Sequence, residues 1–365
     1  MSSKKFDWSK KSVETGMSQK KLEKVVERHM EREPVNAFLV IRHDTIAFEW
    51  YNTGFSRHSP HWTASLTKSL VGATSFLLAL GDGLIDLDQL ACHFIPEWGL
   101  DPEKSKITLC HLITHSSGLA DAKPKEDQTM WTGKFWHFPD HYLIAKEQTP
   151  IIFEPGSYDL YSNPGMALLG YCLTKALAHT SENDIKTLLI NRVMHFIGIT
   201  DDEWLLNWDD PKDPLCHNPE IYGNGKAALV NGLSVYATWG GSSFSPDAAA
   251  RIGRLMLRHG TWEGKKILSA ETVHEALKPH GSVDLYDANQ NPGTEWGLGW
   301  RLNTNGYFQG LPKDAFIGAG RGLQILLVVP SLDLIVIRFG HHDAGHDFWT
   351  EVERFLFDPL MEAVC

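Results

Sequence analysis

HWTASLTKSLVG, residues 61–72, combines an apolar helical pattern with a serine and a lysine three positions apart. A helix would place Ser65 and Lys68 on the same face, because positions three apart are neighbours on a helix surface. Glycine commonly follows a helix end, which predicts that this helix stops near Gly81. The opposite face would carry an apolar stripe suited to burial, formed by Leu66, Leu70, Ala73, Leu77 and Leu80. The stretch therefore predicts a helix buried on one side, with the hydroxyl and the amine at its more polar edge.

The position of the Ser65–Lys68 pair distinguishes it from other Ser-x-x-Lys patterns in the chain. The same spacing occurs at Ser2–Lys5 and Ser18–Lys21, in lysine-rich segments where chance accounts for it. At Ser65, the partial positive charge of a helix N-terminus would favour a developing alkoxide. Burial would lower the pKa of Lys68 and let it serve as a base. The alternative is a serine that caps the helix beside a lysine whose ammonium reaches solvent, and this segment alone leaves both interpretations open.

The composition is that of a folded chain with an acidic balance. Its 365 residues are more than one compact core usually organises, which predicts one two-lobed domain or two domains. Hydrophobic residues make up 42% and charged residues 22%, which argues against disorder, and we expect no apolar run of bilayer-spanning length. The net charge of −11 offers no basic surface for nucleic acid. We therefore expect neither a nucleic-acid partner nor a membrane partner.

The first residues and the cysteines bear on the cellular compartment in which the protein resides. The start, MSSKKFDWSK, has lysines with no apolar stretch behind them, unlike a secretory signal. The cysteines are scattered and odd in number, which fits reduced thiols better than a disulfide framework. They are Cys92, Cys110, Cys172, Cys216 and Cys365. We expect a cytoplasmic protein.

Strand patterns occur at both ends of the chain. Residues 35–51 read as two strands around a turn at 42–44, since β-branched and aromatic residues dominate both halves. The tail has strand patterns in WGLGWRLN, QILLVVP and LDLIVIRFG, followed by an amphipathic helix in DFWTEVERFLFDPLMEAV. Between these ends, SPDAAARIGRLMLRHG predicts a helix with Ser245 as N-cap and Pro246 at its first position.

This order predicts an α/β fold of two lobes. An antiparallel sheet built from the N- and C-terminal segments is flanked by helices in residues 1–82 and 231–365, and residues 83–230 form a mostly helical inserted lobe. Within the insertion, residues 120–150 are irregular and alternate polar with aromatic stretches. Such a segment is either a lid or pocket wall, or a surface excursion. The cleft between the lobes is the expected ligand site.

A second segment, PGSYDLYSNPGMALLG at residues 155–170, strengthens the catalytic interpretation. Tyr161 and Asn163 follow a Pro/Gly turn and precede a helix of small and apolar residues, so both side chains can point into one pocket. A phenol there can shuttle a proton beside a lysine, and an amide can orient the lysine or the substrate. The alternative is a tyrosine and an asparagine that merely finish a turn.

Together these stretches resemble the serine β-lactamase and penicillin-binding-protein superfamily. The chain is most similar to its class C-type branch, with family VIII carboxylesterases, D-aminopeptidases and aminohexanoate-oligomer hydrolases. ASLTKSLVG resembles the nucleophile segment of that group, ITLCHLITHSSGL (107–119) its "LLTHTSGL" segment, and PGSYDLYSNPGMALLG its Tyr-x-Asn segment. GGSSFSPDAAARIGRLML and WGLGW resemble the later helix and strand. The similarity runs from about residue 38 to 340 in the family's order.

The resemblance implies a β-lactamase-like fold and a role for each matching residue. Ser65 would attack a carbonyl, Lys68 would accept its proton, and Tyr161 would assist and later protonate the leaving group. Asn163 would hold the polar network, and His115 would be a structural hydrogen-bonding residue beneath the site. The oxyanion would lie between the backbone N–H of Ser65 and one from the strand near Gly320–Gly322. This chemistry needs no cofactor and no metal.

The third motif of the family, usually Lys-Thr-Gly or His-x-Gly, has no match here. It should fall at Gly318-Ala319-Gly320, which offers neither the cation nor the hydroxyl that grips a β-lactam carboxylate. Arg321 is adjacent, but in a regular strand its side chain would point to the other face. The glycines would instead give the backbone close access to the substrate. We therefore expect a serine hydrolase for a small-molecule carboxylic ester or small amide.

Several alternatives stay open at this point. A D-aminopeptidase, a peptidase or a residual β-lactamase would use the same residues, and a sensor domain would acylate without turnover. His111 and His115, four apart, and HHDAGHD at 341–347 contain ligand-type side chains, but a structural role and an ordinary turn explain them better than metal. Trp62, Trp131 and Trp136 flank the expected site or lie in the irregular segment 120–150, and we predict that at least one lines an apolar acyl pocket. The oligomeric state is open, with a homo-oligomer among the options.

Overall fold

The computed structural model describes residues 6–9, 15–32, 35–122, 127, 129–137, 141–209, 225–280, 293, 295–341 and 348–365. The α-helices in these ranges are α1 Gln19–Met30, α2 Thr74–Gly81, α3 Leu109–Ile113, α4 Trp131–His137, α5 His141–Gln148, α6 Asn163–Leu177, α7 Ile185–Leu189, α8 Pro246–Leu257, α9 Ala270–Ala276, α10 Phe348–Val352 and α11 Asp358–Glu362. Short 3₁₀ turns are Ala64–Leu66, Ala91–His93, Pro96–Leu100, Lys104–Lys106 and Pro330–Leu332, and π-helical turns are Lys68–Ala73, Ile190–Met194 and Glu353–Phe357. The strands are β1 Val35–Arg42, β2 Thr45–Tyr51, β3 His61–Trp62, β4 Trp204–Leu205, β5 Ala228–Val230, β6 Leu233–Val235, β7 Ser243–Phe244, β8 Thr261–Trp262, β9 Lys265–Lys266, β10 Glu295–Trp296, β11 Arg301–Leu302, β12 Phe316–Gly320, β13 Gln324–Val329 and β14 Leu334–Gly340.

Strands from both ends of the chain form one antiparallel sheet of seven strands, in the order β10-β11-β12-β13-β14-β1-β2. The predicted α/β fold class is confirmed. The strands β1 and β2 are joined at His43 and Asp44, whose φ angles of 55° and 52° are those of a tight hairpin turn. This turn lies where the sequence predicts it.

The sheet has a buried layer on each face. Along β13, Leu326 and Val328 belong to the large core that contains the Ser65 helix and α8. Ile325 and Leu327 alternate with them and pack into a second core beneath α1 and the C-terminal helices. Because both faces are covered, every residue of β13 is buried.

The Ser65 segment is helical throughout residues 64–81, as predicted, but it is not one-sided. It begins as the 3₁₀ turn Ala64–Leu66, widens into the π-helical turn Lys68–Ala73 and continues as α2. Every residue from Leu66 to Ala79 is buried, so the helix lies within the core and not on its surface. By length and composition the run Ala64–Gly81 could cross a membrane, contrary to the expectation that no apolar run is long enough, yet 78% of it is buried inside the fold. Such burial is typical of a core helix.

Two further sequence predictions had different outcomes. Ser245 caps α8 through its side-chain oxygen, which accepts a hydrogen bond from the Ala248 N–H, and Pro246 is the first residue of the helix. The stretch WGLGWRLN, in contrast, is not a single strand. It folds into the short hairpin β10–β11 because Gly299, with φ of 77°, turns the chain where a straight strand would continue.

Candidate active site

Ser65 lies in the first turn of the buried helix, where the helix meets the edge of the sheet. The preceding residue, Ala64, has a left-handed φ of 47°, a conformation that costs an alanine about 1–3 kcal/mol unless its surroundings hold it. The Thr67 hydroxyl donates a hydrogen bond of 2.6 Å to the Ala64 carbonyl, and the Thr63 hydroxyl donates one of 2.7 Å to the Ser242 carbonyl. These bonds fix the turn that presents the partly exposed Ser65 hydroxyl.

Lys68 is buried one helical turn further on, and its amine has two defined partners. Its Nζ donates a hydrogen bond of 2.7 Å to Asn163 Oδ1 and another of 2.7 Å to the Trp239 carbonyl. Burial lowers the pKa of Lys68 to about 7, and the Asp121 carboxylate partly opposes that shift. At neutral pH a large fraction of this amine is therefore uncharged, with a lone pair that can accept a proton.

Tyr161 completes a contact between the serine and the lysine. Its hydroxyl lies close enough to the Ser65 side chain to interact with it, and its ring centroid lies 4.5 Å from Lys68 Nζ. Burial raises the pKa of the Tyr161 phenol, so the phenol stays protonated at neutral pH. A neutral phenol in this position can donate to Ser65 or accept from it.

Asn163 is the first residue of α6, and Ser162 caps that helix by accepting a hydrogen bond from the Gly165 N–H. The cap holds the Asn163 side chain in the network: its Oδ1 faces Lys68, and its Nδ2 donates a hydrogen bond of 3.0 Å to Asp121 Oδ1. The amide therefore links the lysine to a carboxylate that the sequence analysis did not single out.

His115 lies beneath Tyr161. It is buried, its ring stacks on the Tyr161 ring with centroids 4.6 Å apart, and its Nδ1 accepts a hydrogen bond of 3.1 Å from the Ser162 N–H. Burial, with the nearby charges of Lys68 and Arg301, lowers the pKa of His115 well below its usual value. The imidazole is therefore neutral and holds the Tyr161 segment in place.

The glycine-rich end of β12 lies directly against the serine. A side chain at Gly320 would come within 3.0 Å of the Ser65 nitrogen and still closer to the Thr63 carbonyl, so only glycine permits this approach. β12 ends at Gly320, and the three residues 321–323 turn the chain into β13. In that turn Gly322 has φ of 85°, and a side chain there would collide with the Trp62 ring.

Arg321 does not point to the far face of the sheet, as strand alternation suggested. Because Arg321 is already in the turn, the alternation of β12 no longer governs its direction, and its side chain lines the same pocket as Ser65. Within the described part of the chain, Arg321 has neither an ion pair nor a hydrogen-bond partner. Among the described residues, this cation therefore faces the pocket with no carboxylate paired to it.

The pocket beside Ser65 has a volume of about 160 Å³ and aromatic walls. Its lining residues are Trp62, Ala64, Ser65, Trp136, Asn163, Trp208, Trp239, Gly240, Gly241 and Arg321. Two of the three predicted tryptophans, Trp62 and Trp136, are in this wall. Trp131 instead packs against the large core and is not among the described residues of the lining. Trp208 and Trp239 were not predicted.

Three contributors were missed by sequence reasoning for different reasons. Trp239 acts through its backbone carbonyl, which no side-chain pattern reveals. Trp208 lies just before residues 210–224, far along the chain from every motif. Asp121 lies two residues after the segment ITLCHLITHSSGL, and its proximity to that segment is the one signal that could have drawn attention to it.

The alternative metal interpretations receive no support from the described residues. His111 Nδ1 accepts a hydrogen bond of 3.2 Å from the Thr108 N–H, which closes a capping box on α3. His115 Nδ1 is occupied by the Ser162 N–H, so the two imidazoles serve separate structural bonds. Residues 342–347 of the stretch HHDAGHD lie outside the described residues.

Ser65 thus lies at the wall of an apolar pocket beside the Tyr161 phenol, while the Lys68 amine lies over the Tyr161 ring and bonds to Asn163. On a seven-stranded antiparallel sheet flanked by helices, this arrangement is typical of the β-lactamase-like class, whose members include hydrolases. A family model described as Beta-lactamase matches residues 22–357, and the chain belongs to that family.

Relatives and solved structures agree with this assignment. A relative from Salmonella enteritidis, named "Putative D-alanyl-D-alanine carboxypeptidase", is 25% identical over 266 residues, which are 66% of this chain and 59% of the relative. A family VIII carboxylesterase structure has a TM-score of 0.68 at 16% identity and covers 94% of this chain and 96% of its own. An octameric penicillin-binding protein homologue from Pyrococcus abyssi has a TM-score of 0.64 at 17% identity and covers 93% and 78%. The chain thus spans less than two thirds of the Salmonella relative, and its similarity to the two solved structures is one of fold.

Proposed function

We propose that this protein is a serine hydrolase that forms an acyl-enzyme on Ser65. The observation that carries the proposal is the placement of the Tyr161 phenol beside the Ser65 hydroxyl, with Lys68, whose pKa is about 7, one helical turn away and over the Tyr161 ring. A hydroxyl alone is a weak nucleophile at neutral pH, and an adjacent base is the usual means of activating it. Lys68 is uncharged often enough at pH 7 to be that base.

The proposed reaction has two halves. In the first, Ser65 Oγ attacks the substrate carbonyl carbon, its proton passes to Lys68, and the bond to the leaving group breaks as Tyr161 returns a proton to it. In the second, water gives a proton to the Tyr161 phenolate as it attacks the acyl carbon, the ester bond to Ser65 breaks, and Lys68 returns its proton to Ser65 Oγ. The backbone N–H of Ser65 and one from the 320–322 segment would stabilise the oxyanion, a role that suits the close approach of Gly320.

The pocket favours an ester with a small apolar acyl group. Its volume of about 160 Å³ is small beside the ~300–1,000 Å³ of drug-sized ligand sites, and four tryptophans contribute to its wall. The first candidate substrate class is therefore a short-chain carboxylic ester or small amide.

The Trp62 ring should limit the length of the acyl chain. Trp62→Phe removes part of a buried wall that makes no described hydrogen bond through Nε1, so longer chains should gain room. We expect the ratio of kcat/KM for a nitrophenyl hexanoate over the acetate to rise about 10-fold. Trp98→Phe is the matched control, because Trp98 is also 3% exposed but is not part of the described pocket lining. An unchanged ratio in the Trp62 variant would remove this ring from the acyl pocket.

The acyl-enzyme itself can be detected by intact mass. The protein is incubated with a mixed set of short-chain esters, lactams and D-amino acid amides, quenched in acid, and its mass is measured before and after proteolysis. We expect an added acyl mass on the peptide that contains Ser65. An adduct on another peptide, or none with any member of the set, would refute the proposal.

Arg321 favours a second candidate within the same chemistry, an amide or ester whose substrate bears a carboxylate. The cation lines the pocket beside Ser65 and has no described partner, and a guanidinium is well suited to pairing with a carboxylate. Hydrolysis of the carboxypeptidase or β-lactamase type would use such a contact, whereas a neutral short-chain ester would not.

The two candidates predict different effects of Arg321→Gln. For a carboxylate-bearing substrate, kcat/KM should fall about 30-fold, because one charge-assisted hydrogen bond is lost. For a neutral nitrophenyl ester it should stay within about threefold of the parent value. Arg28→Gln, at an exposed position of α1, provides the control for a general loss of charge. An equal effect on both substrates would exclude carboxylate recognition by Arg321.

A further inference from the structure

The strongest feature that the proposed chemistry leaves unused is the carboxylate behind Asn163. Asp121 Oδ1 accepts two hydrogen bonds from that residue, 2.8 Å from its backbone N–H and 3.0 Å from Nδ2. Within the described ranges Asp121 makes no salt bridge at the surface; its charged neighbour is Lys68, across a single amide side chain.

These bonds fix the orientation of the Asn163 amide. A carboxylate only accepts hydrogen bonds, so the amide must direct its NH₂ group to Asp121 and its oxygen to Lys68. Lys68 must then donate to that oxygen and, independently, to the Trp239 carbonyl. An uncharged amine has two N–H groups and one lone pair. With both N–H groups held by carbonyl oxygens, the lone pair occupies the remaining tetrahedral direction and stays available for a proton.

The charge of Asp121 acts on the same amine. Burial raises the pKa of Asp121 to about 6, although the positive charge of Lys68 opposes that rise. In turn, the negative charge of Asp121 raises the pKa of Lys68. Among the described residues, the other titratable or charged groups that face this cluster are Tyr161, His115 and Arg301. Tyr161 and His115 are neutral near pH 7, so Asp121 is the anion of the cluster.

We propose that Asp121 is a positioning residue of this site, which orients Asn163 and sets the pH at which Lys68 becomes a base. The inference rests on the proposed function, since it gives Asp121 a role only if Lys68 activates Ser65. Asp121 touches neither the pocket nor the serine, so its influence passes through Asn163 and through its charge.

Asp121→Asn separates the charge from the hydrogen bonds. The new amide oxygen can still accept from Asn163, but the negative charge is gone, which lowers the pKa of Lys68. In the parent protein the rate rises with pH as Lys68 loses its proton. In the variant this rise should occur at lower pH. We expect a shift of about one pH unit from a midpoint near 7. At pH 6 the variant should then react about fivefold faster than the parent, an acceleration that a merely structural defect would not produce.

The measurement is the rate at which a fluorophosphonate probe labels Ser65 between pH 5 and 9. Parent protein, Asp121→Asn, Asp121→Ala and the exposed control Asp201→Asn are compared. Asp121→Ala removes the acceptor as well as the charge, so its plateau rate should fall about 30-fold because Asn163 loses its orientation. The control should follow the parent curve.

The outcomes distinguish the two proposals. If the parent is not labelled on Ser65, the proposed function fails. If the labelling rate of the parent rises around pH 7 and that of Asp121→Asn rises at the same pH, the role of Asp121 is refuted while the proposed function stands.

Should Asp121→Asn not fold, Lys68→Met tests the same coupling from the other side. Carboxyl resonances of ¹³C-labelled aspartate are followed by NMR, and the one that titrates near pH 6 in the parent should move to higher pH when the lysine charge is absent. An unchanged aspartate titration would overturn the inference.

Discussion

Ser65→Ala should abolish covalent labelling by a fluorophosphonate and lower kcat for ester hydrolysis by about 10⁶-fold. The substitution removes the only atom that the proposed reaction bonds to the acyl group. It should leave the fold intact, because Ser65 is partly exposed and the turn is held by the Thr63 and Thr67 hydroxyls. The measurement is in-gel fluorescence after labelling, together with steady-state hydrolysis of a nitrophenyl acetate.

Ser69→Ala is the matched control for that experiment. Ser69 lies one turn along the same helix, but it is buried and donates its hydroxyl hydrogen to the Gly299 carbonyl, away from the phenol. The Ser69→Ala variant should be labelled at the parent rate as long as it folds. Persistent labelling of Ser65→Ala at the parent rate would mean that another residue is the nucleophile.

Lys68→Met should lower the rate of Ser65 acylation by about 10³-fold and abolish its pH dependence near 7. Methionine preserves most of the side-chain volume in a buried position, so the loss reports on the amine. The sign of the pH effect follows from the role of a base. Below pH 7 the parent amine is protonated and inactive, above pH 7 it is neutral and active, and the variant has no such group.

Thermal unfolding separates this loss from misfolding. The variant should unfold cooperatively, since the buried amine is replaced by an apolar group of similar size. Lys104→Met is the control. Burial also lowers the pKa of Lys104, but this lysine bonds to the Lys146 carbonyl and not to the Ser65 site. The variant should therefore keep both the parent rate and the parent pH dependence. A Lys68 variant with a near-normal rate and the parent pH profile would exclude Lys68 as the base.

Much of the framework was predictable because it depends on local signals. The hairpin at residues 35–51 follows from two β-branched runs around a turn, and α8 follows from Ser245 and Pro246 at its start. The convergence of Ser65, Lys68, Tyr161 and Asn163 was expected from their motifs, and the structure brings these four together. Their catalytic roles remain predictions.

The remainder depends on contacts that no local pattern encodes. The Ser65 helix has a one-sided apolar stripe in sequence, yet it is buried all round because sheet and helices both pack on it. Arg321 enters the pocket because β12 ends one residue before it, and a strand boundary of that precision is not readable from GAGRG. Asp121 is one aspartate in an irregular polar segment, and only its position behind Asn163 gives it importance.

The π-helical turn Lys68–Ala73 divides the central helix into two halves that are not in phase. The wider turn rotates the side chains of α2 about the helix axis, relative to their positions in a regular α-helix. The segment with Ser65 and Lys68 and the segment α2 therefore face different directions. The side chains of α2 can then face the core while the Lys68 amine faces its two carbonyls.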